Sequence, residues 1–577
     1  MSMFRTLPAA LCLAVLAATG CRHSTPPPAS SAAHTGTSGT GQAASQSDGI
    51  RFEDVAEKAG IQYVYPKQPR PMRNLEAFGC GCAAFDFDDD GWMDILLVSR
   101  PHPILYHNRK NGTFEDVTAA SGLDRLDGDW KGCAIGDYDN DGRLDIVLTG
   151  YHCLALMRNM DGRRFQDVTR QAGLDPANRN HWGSSAGFMD LDGTGRLALV
   201  ILNYVVFGPK EPQYCETGGI KSGCPPESYK PEFAEMWERS PDGVYRDITS
   251  KSGLKRTSGK ALVVAFADAD DDGSVDFYIG NDGTPAEYMH NVGGLRFENL
   301  GQRSGLYASS MSKPIAAMGA DWADYNGDGR LDLVVSAFSN ESYALFKNMG
   351  ANLFTSAEED TNLAGPTLKP LGFGAKWADV DNDGWPDIMF ANGHVYDNVS
   401  LLDPSSTFRQ PIMIFRNEAG RGFQDLVPSM PPDIQRPLVG RGSAVIDFDN
   451  DGRPDTLIVD YEGRPMLLHN ASETKNHWIT LDLRNSTGNR FAYGAKVELT
   501  TGKRKWVAIV SPASSYLSSS DPRIHFGLGN AATVDHLSVR WPDGSTELFH
   551  NLRADSIYRI LRGHNPAPLT YAPSTFH

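Results

Sequence analysis

The chain has 577 residues, 40% of them hydrophobic and 22% charged, with a formal net charge of −17. That length exceeds a single compact core of ordinary size unless the core is built from repeats. The acidic balance argues against nucleic acid as a partner and suits a cation binder or an extracellular surface.

The first element in chain order is a targeting segment, residues 1–21. Arg5 supplies its positive end, and Leu7–Ala18 is an apolar run too short to span a bilayer comfortably. It closes on AATGC, which resembles a bacterial lipobox with Ala18 where Leu usually stands. The resemblance implies export and lipidation of Cys21, with membrane contact only through that lipid and a place in the cell envelope or at the cell surface. Simple secretion is the alternative. Residues 22–48 are rich in Ser, Thr, Pro, Gly and Ala and hold almost no apolar bulk, so they read as a flexible tether. A coil of that length spans roughly 30 Å.

Residues 49–470 are a repeat. An acidic nonapeptide recurs as DFDDDGWMD, DYDNDGRLD, DLDGTGRLA, DADDDGSVD, DYNGDGRLD, DVDNDGWPD and DFDNDGRPD, starting at 86, 137, 190, 268, 324, 379 and 447. A small-residue strand pattern such as GCAAF or GSAVI precedes each copy, and an apolar run such as ILLV follows it. Two more elements keep step: an apolar segment ending in Asn (LYHN, LMRN, YMHN, LFKN, IFRN, LLHN) and a Phe-x-Asp-Val segment. Four short strands in about 50 residues describe one propeller blade, so the pattern predicts seven blades. The last copy lacks a Phe-x-Asp-Val strand, and the N-terminus has a spare one at Phe52–Val55. Residues 51–55 are therefore expected to complete the seventh blade.

Carboxylates crowded in this way repel one another, and a cation offsets the cost. Oxygens at positions one, three, five and nine, with a turn-permitting Gly at six, suit a flexible shell of six to eight oxygens around calcium. The predicted ligands are Asp86, Asp88, Asp90 and Asp94; Asp137, Asp139, Asp141 and Asp145; Asp190 and Asp192; Asp268, Asp270, Asp272 and Asp276; Asp324, Asn326, Asp328 and Asp332; Asp379, Asp381, Asp383 and Asp387; Asp447, Asp449, Asp451 and Asp455. An EF-hand is excluded, because its twelfth position is Leu97 inside a strand. Thr194 and Ala198 replace two acids in the third loop, which is expected to bind weakly or stay empty. About six to seven structural calcium sites are expected. Metal-free Asx turns are the bland alternative.

These repeats resemble the FG-GAP or VCBS repeats of integrin-α-type propellers. The resemblance implies that the acidic loops join the two inner strands of each blade and that ligands bind on the opposite face. Long inserts follow the third and sixth loops, and inserts in a short-looped scaffold are favoured places for function. Asn203 and Tyr204 open one and Asn392 and His394 open the other; Asn281 and Asp282 follow the corresponding strand elsewhere. These six residues are the candidate ligand face, with turn chemistry as the alternative reading of the asparagines. Cys215 and Cys224 flank a short loop in the first insert and are expected to pair. Cys82 and Cys133 occupy a mostly small inner-strand position and read as buried hydrophobes; a disulfide or a soft-metal site involving them, Cys80 and Cys153 is the alternative. Gly183–Gly187 matches G-x-S-x-G but runs into an acidic loop, so it reads as an inner strand rather than a nucleophile elbow.

Residues 471–562 form a small β-rich domain, with 563–577 as a tail. Asn476-His477-Trp478, Gly494-Ala495, Tyr516-Leu517-Ser518, Phe526-Gly527-Leu528-Gly529 and Trp541-Pro542-Asp543-Gly544 resemble the ASPIC/UnbV domain. Together with the propeller, the chain resembles the cartilage acidic protein family in a bacterial lipoprotein form. The sequence thus predicts an all-β protein: a seven-bladed integrin-α-like propeller with a small C-terminal domain. Its predicted function is calcium-stabilised binding of a protein or glycan. A propeller lyase or hydrolase, with its site opposite the calcium loops, is the alternative, and a role in assembling other exported proteins a third.

Overall fold

A computed structural model describes residues 49–571, apart from 175–179, 255–256, 258 and 310–312. The signal segment, the tether and Cys21 lie outside the described residues. Among those described, seven sheets carry the repeat, each with four antiparallel strands of its own; the one that begins at Cys82 is extended to six strands by a hairpin from the C-terminal domain. Six of them follow the chain, beginning with Cys82–Phe85, Asp94–Leu97, Ile104–Asn108 and Phe114–Asp116. The seventh joins Gly440–Ile446, Asp455–Asp460 and Met466–Asn470 to the first strand of the chain, Phe52–Asp54. There Phe52 pairs with Asn470 and Asp54 with Leu468. The innermost strands neighbour one another in sequence order, and the seventh returns to the first.

Each acidic loop joins the first two strands of its sheet, because the nonapeptide is too polar and turn-rich to continue a buried strand. The Asn that ends each third strand links neighbouring sheets. Asn159 Nδ2 donates to the Phe87 carbonyl of the preceding sheet at 2.7 Å, and to Leu144 O in its own. Asn108, Asn291, Asn348, Asn417 and Asn470 repeat this bond to Phe448, Leu191, Ala269, Tyr325 and Val380. The third sheet has Arg239 near that place instead, reaching Asp139 O at 3.4 Å.

The C-terminal domain consists of two four-stranded sheets. It extends beyond the expected boundary of 562, for Ala567–Leu569 pairs with Ser556–Leu561 and Tyr571 packs edge-on against Trp92. That strand is short and contains Pro568, so it carries little strand signal.

From this domain a hairpin, Ala513–Ser514 and Ser518–Ser519, enters the axis of the propeller. Ser519 pairs with Ala83, and Ser515 bridges Ala320. Cys133 N donates to Leu517 O at 3.1 Å, Leu517 N to Ser185 Oγ at 3.2 Å, and Lys376 Nζ to Ser514 Oγ at 2.6 Å. The small residues of the inner strands make room for it: a Cβ on Gly81 would lie 1.9 Å from Leu517 O. Cys82, Cys133 and Cys80 are buried free thiols; Cys82 Sγ lies 3.8 Å from Ser518 Oγ. The Gly183–Gly187 segment lies within strand Gly183–Met189, and its serines donate to Ala261 O and Leu262 O.

Candidate metal loops and ligand face

The loop at 86 shows how the nonapeptide folds. Asp86 Oδ1 accepts from Asp90 N at 3.0 Å and its Oδ2 from Gly91 N at 2.7 Å. Gly91 has φ +89°, which favours glycine. Asp94 Oδ2 accepts from Phe87 N, and Oδ1 from Asn108 N. Positions one and nine are thereby fixed by backbone donors, and both are buried. The loop at 137 repeats this through Gly142 N, Tyr138 N and Asn159 N.

The arrangement fits a cation. Carboxylate oxygens of Asp86, Asp88 and Asp94 lie within 4.8 Å of one another, as do those of Asp137, Asp139 and Asp145. One oxygen each of Asp88, Asp190, Asp379 and Asp449 is buried without a hydrogen-bond partner. Burial, helped by the neighbouring acids, pushes Asp86 and Asp137 up to about 7 and Asp324 to about 6. The third loop closes differently: Thr194 Oγ1 donates to Asp192, and Asn489 Nδ2 of the C-terminal domain lies 3.3 Å from Asp190 Oδ2.

Two partners of these loops were missed in the sequence. The residue before each linking Asn is basic, and several such side chains face position three. His107 is 3.2 Å from Asp88, Arg158 2.7 Å from Asp139, Arg416 3.1 Å from Asp381 and His469 3.4 Å from Asp449. The repeated His, Arg or Lys was the available signal. The second partner is the C-terminal domain, which lies over the acidic face. Arg484 and Arg559 approach Asp89 at 3.2 and 3.4 Å, and Lys496 reaches Asp271 at 2.6 Å. Arg540 pairs with Asp268. Arg504 donates to Asp383 O at 2.8 Å, and Arg523 to Asn450 Oδ1 at 2.7 Å.

On the insert side, the six candidate residues divide. The side chains of Asn203, Asn281 and Asn392 are spent on local structure: Asn203 Nδ2 donates to Glu235, Asn281 Nδ2 to Pro285 O and Asn392 Nδ2 to Pro411 O. His394 is buried, and its Nδ1 accepts from Tyr396 N at 3.0 Å. Burial, reinforced by the Arg441 charge, lowers it to about 4. Tyr204 and Asp282 come together, the hydroxyl donating to Asp282 Oδ2 at 2.6 Å. They line a cavity between the two inserts and the segment before Cys82. Cys215 and Cys224 form a disulfide there. Asn74 Nδ2 donates to Cys224 O and Asn398 Nδ2 to Lys221 O, both at 2.8 Å, which ties the three segments together.

Fold and loops define an acidic-loop β-propeller carrying a β-rich C-terminal domain. The chain carries FG-GAP-like repeats and an ASPIC/UnbV domain: the FG-GAP-like repeat model matches residues 86–148, 137–201, 268–335 and 324–390, and the ASPIC and UnbV model residues 485–567. It is similar to cartilage acidic protein 1 of Xenopus tropicalis, 26% identical over 497 residues, covering 80% of this chain and 70% of that one. The human protein of that name is 26% identical over 504 residues, covering 80% and 69%. Among solved structures, one titled YCF48 bound to D1 peptide matches with TM-score 0.39 and 10% identity, covering 71% of this chain and 98% of that one. An Agrocybe aegerita lectin structure matches with TM-score 0.38 and 18% identity, covering 66% and 86%.

Proposed function

We propose that the protein is an exported, lipid-anchored binding module whose propeller is held together by calcium and whose partner, a protein or glycan, docks on the insert face. The observation that carries the calcium reading is the set of buried position-one and position-nine aspartates, fixed by backbone donors around partnerless carboxylate oxygens. Asp86, Asp88, Asp90 and Asp94, with their counterparts in the other complete loops, would hold the ions; bound calcium neutralises the loop charge. The loop at 190, which has Thr194 and Ala198 in place of the acids at positions five and nine, stays metal-free. Two features favour binding over turnover. The axis, where a propeller enzyme would place its groups, holds the Ala513–Ser519 hairpin, and His394 is buried and engaged.

The test is a thermal melt of residues 49–577 in calcium, magnesium or EDTA. A rise specific to calcium is expected, by mass action on the folded state. Identical melts in calcium and EDTA, with no calcium found by metal analysis, return the loops to turn chemistry.

A further inference from the structure

The cavity on the insert face has a chemistry of its own. Its floor is aromatic: the Phe78 ring lies 5.2 Å from Tyr204 and 5.9 Å from Tyr516, and Tyr516 lies 4.7 Å from Phe373. Phe338 and Tyr396, half-buried and 6.5 Å apart, stand at the rim. Asp282 also lines it, held by Tyr204, as does Asn74, whose buried Oδ1 has no hydrogen-bond partner. No lysine or arginine lines the cavity among the described residues. Arg441 stacks on Phe373 at 4.0 Å, but its charge is spread over the carbonyls of Ala77, Gly393, Gly440 and His394.

The cavity measures about 60 Å³. An apolar cavity of about 150 Å³ takes benzene, and tetramethylammonium is no smaller than benzene, so this one encloses only one or two methyl groups of such a head and leaves the remainder at the rim, between Phe338 and Tyr396. Ring faces attract cations, and a carboxylate and an amide oxygen add acceptors.

We propose that this cavity binds a methylated ammonium group. The site deepens the insert-face reading and rests on it. The rings supply the walls for the methyl groups, and Asp282 supplies the counter-charge.

The experiment titrates the full chain, in calcium, with tetramethylammonium and with neopentyl alcohol, its neutral counterpart of similar shape. Tetramethylammonium is expected to bind at least tenfold more tightly, to lose at least tenfold in Tyr396→Leu and in Asp282→Asn, and to be retained in Tyr396→Phe. Tyr396 is at the rim, so this pair tests the site even where Asp282→Asn disturbs folding. Choline and trimethyl-lysine amide form a second arm; whichever binds more tightly assigns the group to a lipid headgroup or to a protein. No saturable binding, equal binding of the neutral compound, or indifference to Tyr396→Leu overturns the proposal. Failed ammonium binding beside a normal calcium-dependent melt overturns this site alone. Ammonium binding by a chain indifferent to calcium overturns the calcium reading and leaves this site standing.

Discussion

Tyr516, in the C-terminal domain, donates its hydroxyl to the carbonyl of Phe78, in the segment that precedes the first inner strand, at 2.9 Å. The two are 438 residues apart in the chain. The bond joins the axial hairpin to the floor of the insert-face cavity, so the domain lying over the acidic loops also reaches the opposite side of the propeller.

This hairpin should contribute strongly to stability. Leu517 and Tyr516 are fully buried. Leu517→Ala is expected to cost about 2–5 kcal/mol, and Tyr516→Phe about 1 kcal/mol. Chemical denaturation reads both; a Leu517→Ala midpoint equal to the parent's would show that the hairpin is a passenger.

The seam is a second test. Phe52 is fully buried and lies in the only stretch of the N-terminal segment that pairs with the seventh sheet among the described residues. Deleting residues 49–58 should lower the melting temperature sharply, and Phe52→Ala should cost about 3–5 kcal/mol. An unchanged melt would separate the seam from stability.

The linking asparagines predict unequal effects around the ring. Asn159→Ala leaves the Phe87 and Leu144 carbonyls without that donor and should cost about 1–3 kcal/mol. Arg239→Ala, which removes only the longer 3.4 Å bond to Asp139 O, should cost less. Equal losses in denaturant midpoint would contradict this.

Calcium dependence should also vary by loop. Asp86→Asn is expected to remove part of the calcium-dependent rise in melting temperature, whereas Asp192→Asn leaves it intact. Calorimetry on the two variants, counting ions per chain, supplies the check.

His394 predicts a pH effect. It is buried and lowered to about 4, against about 6.5 when unfolded. The neutral form therefore stabilises the fold fully above about 6.5, and this contribution is lost as pH falls towards about 4, up to about 3 kcal/mol. His394→Asn keeps an acceptor for Tyr396 N. Between pH 7 and 4.5 it should lose less stability than the parent chain, measured by melts at both values.

The repeat was readable because calcium-type loops, small inner strands and terminal asparagines recur in fixed order. What the asparagines do was not, since each bonds to a backbone carbonyl in another sheet and carbonyls leave no trace in sequence. The axial hairpin was hidden for a similar reason: Ser514, Ser515, Ser518, Ser519 and Ser520 are small polar residues with no apolar alternation to mark buried strands, though all are buried. Its trace was indirect, in the glycines and small residues that leave the axis open. Of the candidate ligand face, Tyr204 and Asp282 meet, while Asn203, Asn281 and Asn392 follow their strands into turns.

The position of the hairpin sets an order of assembly. Every residue it touches in the inner strands is synthesised before it, and the seam at Phe52 waits for Asn470. A nascent chain released before residue 513 can possess every strand of the ring yet lack the segment that occupies its axis. The finished molecule differs from such a fragment both in the acidic face that the C-terminal domain covers and in whether its centre is occupied.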